Sequence, residues 1–224
     1  MATNFPASVD ALTNPTAGDG LNSPSHSGQH ANANDAIEAI EGYLLTGVGT
    51  NQLIKITPSS ATGGTISSTG TVTTTGTVAT ITANGVFSST YDDYKIIFTG
   101  PANIGGQELR FTLGGITTGY YSTAAFYDAS SSTPSGFNGP NQAFFSLGYS
   151  GTQLMRYEMD LHGVNSSRGK VANVQWASYD SSTSYAGDTY LWSVSTATAT
   201  AMTIYMAAGS FLTGCSLKIY GLKK

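Results

Sequence analysis

The chain has 224 residues, of which 10% are charged and 40% are hydrophobic, and its formal net charge is −4. Soluble domains usually carry about 25% charged residues, so this chain has enough apolar content for a core but a polar, nearly uncharged surface. The weak negative charge argues against a nucleic-acid partner, and no apolar run reaches the roughly 18 residues of a membrane span, so no membrane insertion is expected.

Residues 1–34 are predicted to be an extended arm. They contain three prolines, several turn-forming pairs and few large apolar side chains. Such a segment cannot bury itself well enough to offset its ordering entropy. The arm is therefore either loose or laid along a neighbouring surface in an assembly.

Two histidines of this arm, His26 and His30, are four residues apart, a spacing that places two metal ligands on one face of a helix. Ser23, Pro24 and Ser25 precede them and favour a turn instead. We therefore expect a polar docking contact here and no metal site.

A short helix is predicted for residues 35–46. Asp35 and Glu38 resemble a capping box, and Ile37, Ile40 and Leu44 form one apolar stripe at spacings of three and four. A helix of about three turns is marginal alone in water, so the stripe needs a partner, either its own domain or further copies of the helix. Isoleucine at both seam positions favours three or four helices over two.

Residues 47–76 are predicted to be a connector. One short apolar run, Leu53–Ile56, precedes a tract rich in serine, threonine and glycine. Threonine favours extended backbone, whereas glycine and serine weaken independent strand pairing. The tract is expected to separate the arm from a distal domain.

Residues 77–224 are predicted to be a β-rich head domain. The clearest alternation is Leu154–His162, where every second side chain from Met155 onward is expected to face inward, and Asn84–Gly85 is a hairpin signal. Further strands are expected at Val78–Thr82, Tyr94–Thr99, Leu109–Leu113, Phe144–Leu147, Lys170–Tyr179, Tyr190–Val194, Met202–Ala207 and Leu217–Tyr220. No helical period interrupts them, so the expected fold is mainly β: an antiparallel β-sandwich, with a jelly roll as one arrangement, preceded by the extended arm and one short helix.

The longest predicted loop, Gly115–Asn141, is rich in aromatic residues. Aromatic side chains offer flat apolar faces with polar tips, which suit sugar rings and amphipathic surfaces. The candidate receptor contacts are Tyr120, Tyr121, Phe126, Tyr127 and Phe137. The aromatic residues expected in the core instead, because they lie in alternating strands, are Phe98, Phe111, Trp176 and Trp192.

The chain offers little for catalysis. Two of its three histidines lie in the arm, and the third, His162, ends a strand. Cys215, the one cysteine, is expected to be a small buried hydrophobe, and it allows no intrachain disulfide. Glu158 and Asp160 project from one solvent face without a glycosidase motif. We therefore predict no enzymatic activity, no metal and no cofactor.

Four N-terminal segments stand out by their order and spacing: Phe5–Asp10, Thr13–Pro15, Leu21–His26 and Gln29–Glu41. They resemble the opening of tailed-bacteriophage virion proteins of the minor tail or tail-fibre type. In the head, Gly85–Tyr94 and Leu217–Gly221 resemble the β-domain that often follows this opening.

This resemblance implies a homotrimer that is assembled in the host cytoplasm and becomes part of the virion. Its arm would bind other virion proteins, and its head would bind a saccharide or protein of the host surface. The residues expected to dock on the virion are Phe5, Pro6, Pro15, Leu21, Pro24, His26 and His30. The expected function is host attachment by a short tail fibre or appendage; a capsid decoration, cement or head-fibre protein is the alternative, and a depolymerase ranks last.

Overall fold

The computed structural model describes residues 26–45, 53–131, 134–181 and 183–223. The chain divides into two compact units, Met1–Gln52 and Leu53–Lys224. The described part of the first unit is helix α1 (His26–Leu45), and the second unit contains the strands. The predicted docking residues Phe5, Pro6, Pro15, Leu21 and Pro24 lie outside the described residues.

Helix α1 has 20 residues, a length of about 30 Å, and begins well before the predicted start. Asp35 and Glu38 lie in its middle, so the predicted capping box is wrong. The predicted turn around His26 and His30 is also wrong, because both residues belong to the helix. The alanines of this segment favour helix, and they outweigh the preceding Ser-Pro-Ser.

One face of α1 is apolar and exposed. Ile37 is 53% exposed and Ile40 is 44% exposed, while the side chain of Leu44 is not among those described. The same spacing extends this face towards the N-terminus through Ala33 and His30, and we call these five positions the α1 stripe. The first turn has no acidic residue and the last turn no basic one. The two end turns of the helix itself therefore supply no side-chain charge that favours the helix dipole.

Fifteen strands occur in the described part of the second unit. They are β1 (Leu53–Lys55), β2 (Ser60–Thr62), β3 (Thr65–Ile66), β4 (Val72–Thr73), β5 (Thr80–Asn84), β6 (Tyr91–Gly100), β7 (Glu108–Leu113), β8 (Tyr120–Asp128), β9 (Ser135–Gln142), β10 (Phe145–Tyr149), β11 (Leu154–His162), β12 (Lys170–Tyr179), β13 (Ser184–Ser193), β14 (Met202–Met206) and β15 (Ser216–Lys223).

The strands form two stacked antiparallel sheets. The larger sheet has ten strands in the order β3-β4-β15-β6-β11-β12-β13-β8-β9, with β1 also paired to β15. The smaller sheet has five, in the order β10-β7-β14-β5-β2. This arrangement confirms the predicted mainly β, sandwich-type fold.

The core lies between the two sheets. The alternation predicted for β11 is confirmed, because its inward side chains are all buried: Met155, Tyr157, Met159 and Leu161. On the smaller sheet, Phe111 of β7 and Ile204 of β14 are buried as well. Cys215 is buried as expected, and burial raises the pKa of its thiol to about 11, which makes it a poor nucleophile.

The predicted connector is largely part of the sandwich. Between residues 53 and 76 the chain forms β1 to β4, of which β2 joins the smaller sheet and the others join the larger one. These short threonine-containing strands pair with longer neighbours, so their weak independent propensity is no obstacle. The hairpin predicted at Asn84–Gly85 is wrong, because β5 pairs with β2 and β14 and not with β6.

The predicted loop Gly115–Asn141 contains β8 and all but the last residue of β9, and these two strands pair with each other. The inward positions of β8 hold the small residues Ser122 and Ala124 between Tyr120 and Phe126. Small polar side chains at inward positions weaken the apolar alternation, so the sequence alone favoured a loop.

The larger sheet ends in two dissimilar edges. At one end, β3 has only two residues, and β1, which pairs with another part of β15, has three. At the other end, β9 contains Gly136, Gly139 and Pro140. Proline has no backbone N–H, and it is confined within sheets to edges and bulges for that reason.

Gly148 of β10 is expected to tolerate no side chain. Its φ is +144°, and a Cβ there would lie 2.5 Å from ring atoms of Trp176. We expect Gly148→Ala to lower the free energy of unfolding by about 3 kcal/mol, through overpacking and backbone strain together. Urea denaturation measures this loss.

Gly115→Ala is the matched control, because Gly115 also has a positive φ, +85°, but no atom within 4 Å of its added Cβ. We expect it to lower the free energy of unfolding by only about 1 kcal/mol, from strain alone. Equal losses in the two variants would contradict a close approach between Gly148 and Trp176.

Candidate functional site

The outer face of the larger sheet carries an open groove. The strand register places Arg156 of β11, Ala177 of β12, Ala186 of β13 and Tyr127 of β8 in one row across the sheet. Neighbouring strands lie about 4.8 Å apart, so two small side chains separate two large ones. The alanines form the floor of the groove, and Arg156 and Tyr127 stand at its sides.

The next row, formed by Leu154, Tyr179 and Ser184, extends this groove along the strands. Its volume is about 490 Å³, which is within the range of about 300–1,000 Å³ found for small-ligand sites. Leu154 is 55% exposed, Tyr179 is 51% exposed and Tyr127 is 63% exposed. We call this cavity the tyrosine groove.

A smaller pocket of about 270 Å³ adjoins the tyrosine groove. It is lined by Arg156, Glu158, Gln175, Trp176 and Ala177, and we call it the glutamine pocket. Arg156 and Ala177 line both cavities. The two cavities therefore meet at these two residues.

Arg156 is held in place by its neighbour on β11. Its Nε donates a hydrogen bond to Glu158 Oε1 at 2.9 Å, and its Nη2 donates to the same oxygen. Lys95 Nζ lies 3.5 Å from Glu158 Oε2 and 3.2 Å from Asp160 Oδ1. The hydrogen bond from Arg156 and the positive charges of Arg156 and Lys95 lower the pKa of Glu158. Glu158 is therefore a carboxylate at neutral pH.

A second apolar patch lies at the other end of the same face. The rings of Tyr121 and Trp192 are stacked, with centroids 5.3 Å apart and planes 7° from parallel. Val171 and Val194 are 53% and 62% exposed. We call these four residues the tryptophan patch.

The core position predicted for Trp192 is wrong, because Trp192 lies at an outward position of β13 and is 38% exposed. The other aromatic core predictions are confirmed, since these residues are buried: Phe98, Phe111 and Trp176.

The five predicted receptor contacts do not lie together. Tyr127 lies in the tyrosine groove and Tyr121 in the tryptophan patch. Phe137 is partly buried against the core. Tyr120 is 0% exposed and Phe126 is 7% exposed. Both occupy inward positions of β8, so their predicted role in contacting a receptor is wrong.

The remaining groove residues were missed in the sequence. Leu154 and Tyr179 are large apolar residues at outward positions of strands that the alternation predicts correctly. A large apolar side chain on the solvent side of a strand indicates a candidate binding surface, so these two residues can be found from the sequence. Ala177 and Ala186 carry no such signal. They become a groove floor only because the register places them side by side between taller neighbours.

The buried phenol of Tyr120 makes the free energy of unfolding vary with pH in the alkaline range. Its oxygen accepts a hydrogen bond from Leu113 N at 2.9 Å and lies 3.2 Å from Ile116 O, and burial raises its pKa from about 10 to about 12. Between these values the unfolded chain loses this proton while the folded chain keeps it, so stability falls as pH rises, by up to about 1.4 kcal/mol per pH unit.

We expect Tyr120→Phe to flatten this pH dependence. The variant loses about 1 kcal/mol at neutral pH, because the hydrogen bond to Leu113 N is absent. Its free energy of unfolding then declines less steeply than that of the parent above pH 10, as urea denaturation at successive pH values would record. An unchanged slope would contradict the role of this phenol.

Among the described residues, no group of three or more His, Cys, Asp or Glu side chains is arranged to hold a metal ion. His162 Nδ1 lies 2.8 Å from Asp93 Oδ1 on the outer face of the larger sheet. Within the same described ranges, no helix has the length and apolar character of a membrane span.

Comparisons of the chain with family models, with curated proteins and with solved structures find no match. A proposal about function therefore starts from the groove, the patch and α1.

Proposed function

We propose that this chain is a structural protein of a tailed-bacteriophage virion, a short tail fibre or appendage that attaches the particle to the host surface as a homotrimer. The observation that carries the proposal is the tyrosine groove on the outer face of the head. It combines exposed aromatic faces with Arg156, which is fixed by its hydrogen bond to Glu158 of the adjoining glutamine pocket. Saccharide recognition uses the same combination of flat apolar surfaces and a few placed polar groups.

The state of Glu158 supports binding rather than hydrolysis. Glycoside hydrolysis needs a carboxylic acid with a raised pKa beside the scissile bond, whereas the pKa of Glu158 is lowered by Arg156. A carboxylate that is already bonded to a guanidinium serves better as a fixed acceptor for sugar hydroxyl groups.

The α1 stripe supports the homotrimer. Ile37 and Ile40 are exposed in the single chain, and three copies packed along this stripe would bury them. Isoleucine at both seam positions favours assemblies of three or four helices. Three heads on one stem would then bind a repetitive surface with an avidity far above the affinity of each head, while the arm docks on other virion proteins.

The tryptophan patch favours a second candidate, a capsid decoration protein. Stacked Tyr121 and Trp192 beside exposed Val171 and Val194 suit a flat protein surface as well as they suit a sugar. In that case the head would add contact area to the shell and stabilise it.

Antibody labelling of purified particles, viewed by electron microscopy, separates these candidates. We expect label at the tail or at an appendage, and loss of host adsorption without loss of shell integrity when the protein is deleted. Label spread over the shell, with fragile particles on deletion, would favour decoration. Absence of the protein from particles would contradict both.

A further inference from the structure

We infer that the tyrosine groove and the glutamine pocket form one binding site for an uncharged, extended saccharide chain. The inference rests on the proposed attachment function and specifies its ligand class. Three observations support it: the cavities are continuous, their polar groups can both donate and accept hydrogen bonds, and the surrounding charge disfavours anions.

Continuity follows from the strand geometry. Arg156 and Ala177 line both cavities, so no wall separates them. On β12 the outward side chains run from Tyr179 through Ala177 to Gln175, a distance of about 13 Å at 3.3 Å per residue. The combined site is thus an elongated trough along the strands, which suits a chain of sugars better than a single ring.

The two ends of the trough differ in chemistry. Tyr127 and Tyr179 supply exposed ring faces at one end, and such faces stack on the apolar side of a pyranose. At the other end, the amide of Gln175 both donates and accepts hydrogen bonds, and the carboxylate of Glu158 accepts them. Hydroxyl groups of a neutral sugar can pair with all of these groups.

The charges around the trough disfavour an acidic polymer. In one row across the sheet, Glu158, Gln175 and Asp188 are neighbours on β11, β12 and β13, so a carboxylate flanks Gln175 on each side. The two cations beside this row are already paired: Arg156 with Glu158, and Lys95 with Glu158 and Asp160. Uronic or sialic acids in the glutamine pocket would therefore meet like charge without a free counter-charge.

The test uses the full chain and polysaccharide released from the envelope of cells that the protein binds. Anion exchange separates this polysaccharide into neutral and acidic fractions, and isothermal titration measures the binding of each. We expect the neutral fraction to bind, and the acidic fraction to bind at least about tenfold more weakly. Preferential binding of the acidic fraction, or loss of cell binding after protease treatment of the cells alone, would overturn the inference.

Two matched variants test whether the glutamine pocket belongs to the site. Gln175 and Asn173 are both exposed amides at outward positions of β12, but only Gln175 lines the pocket. We expect Gln175→Ala to weaken binding of the neutral fraction about fivefold, the effect of lost hydrogen bonds, and Asn173→Ala to leave it unchanged. If Gln175→Ala has no effect, the single-site inference fails.

The results that would overturn the saccharide inference differ from those that would contradict the attachment function. A chain that binds host cells through an acidic glycan or a protein keeps its attachment role and loses only the inferred ligand class. A chain that binds no host cells as an intact oligomer would contradict the attachment function itself.

Discussion

If the proposed homotrimer forms through the α1 stripe, Ile37→Asp is expected to convert it into monomers. The substitution places three like charges against one another in the seam of the α1 stripe, where an isoleucine of each chain would otherwise be buried. The mass in solution should fall from about three times 23.2 kDa to the 23.2 kDa of one chain, as analytical ultracentrifugation would measure. Binding to host cells should weaken by about 100-fold or more, because avidity is lost while each head stays intact.

Ala39→Asp is the control for this prediction. Ala39 lies on the opposite side of α1 from Ile37, since two residues along a helix correspond to about 200°, and the exchange lowers helix propensity by a similar or larger amount. We expect this variant to remain trimeric. A trimer that survives Ile37→Asp would mean that the α1 stripe does not form the seam.

Ala177→Trp is expected to abolish saccharide binding without unfolding the head. Ala177 is an exposed residue at the point where the tyrosine groove and the glutamine pocket meet. A tryptophan there would fill both cavities from the floor and displace the ligand. We expect at least about a 100-fold loss of affinity for the neutral polysaccharide fraction, measured by isothermal titration, with a free energy of unfolding within about 0.5 kcal/mol of the parent.

Asn173→Trp places the same side chain on the same face of β12, about 13 Å from Ala177 and outside both cavities. Its binding should equal that of the parent. Strong binding by the Ala177→Trp variant would instead mean that the ligand contacts another surface, and the tryptophan patch would be the next region to examine by substitution of Trp192.

The sequence predicts the fold class well because alternation is explicit in the long central strands. In β11 large apolar residues occupy every inward position from Met155 to Leu161, and in β12 Val174 and Trp176 mark the inward face; both strands have the predicted bounds. In β8 the inward residues include Ser122 and Ala124, so the same physical pattern is present but its hydrophobic signal is weak. The sequence therefore predicts a loop for Tyr120 and Phe126, whereas both residues lie in a strand.

The candidate site is harder to predict, because it depends on relations between strands. The outward phase of Tyr179 can be inferred within its own strand, but the pairing of Ala177 with Ala186 cannot, since register depends on all the contacts of the sheet. Helix α1 illustrates a different difficulty. Local signals at Asp35 and at the proline before His26 predict a helix that starts at residue 35, whereas the helix propensity of the whole segment decides the observed start at His26.

The two ends of the larger sheet bear on how the proposed trimer would keep its three heads apart. Heads tethered to one stem experience a high effective concentration of one another, and exposed strand edges under that condition invite fusion of sheets from different chains. At one end β3 has two residues and β1 has three, so each offers almost no template, and at the other end β9 is interrupted by Pro140, which has no backbone N–H. In the proposed trimer, these short and interrupted edges would disfavour fusion of the larger sheets of neighbouring heads, so that each head would bind its ligand as a separate unit.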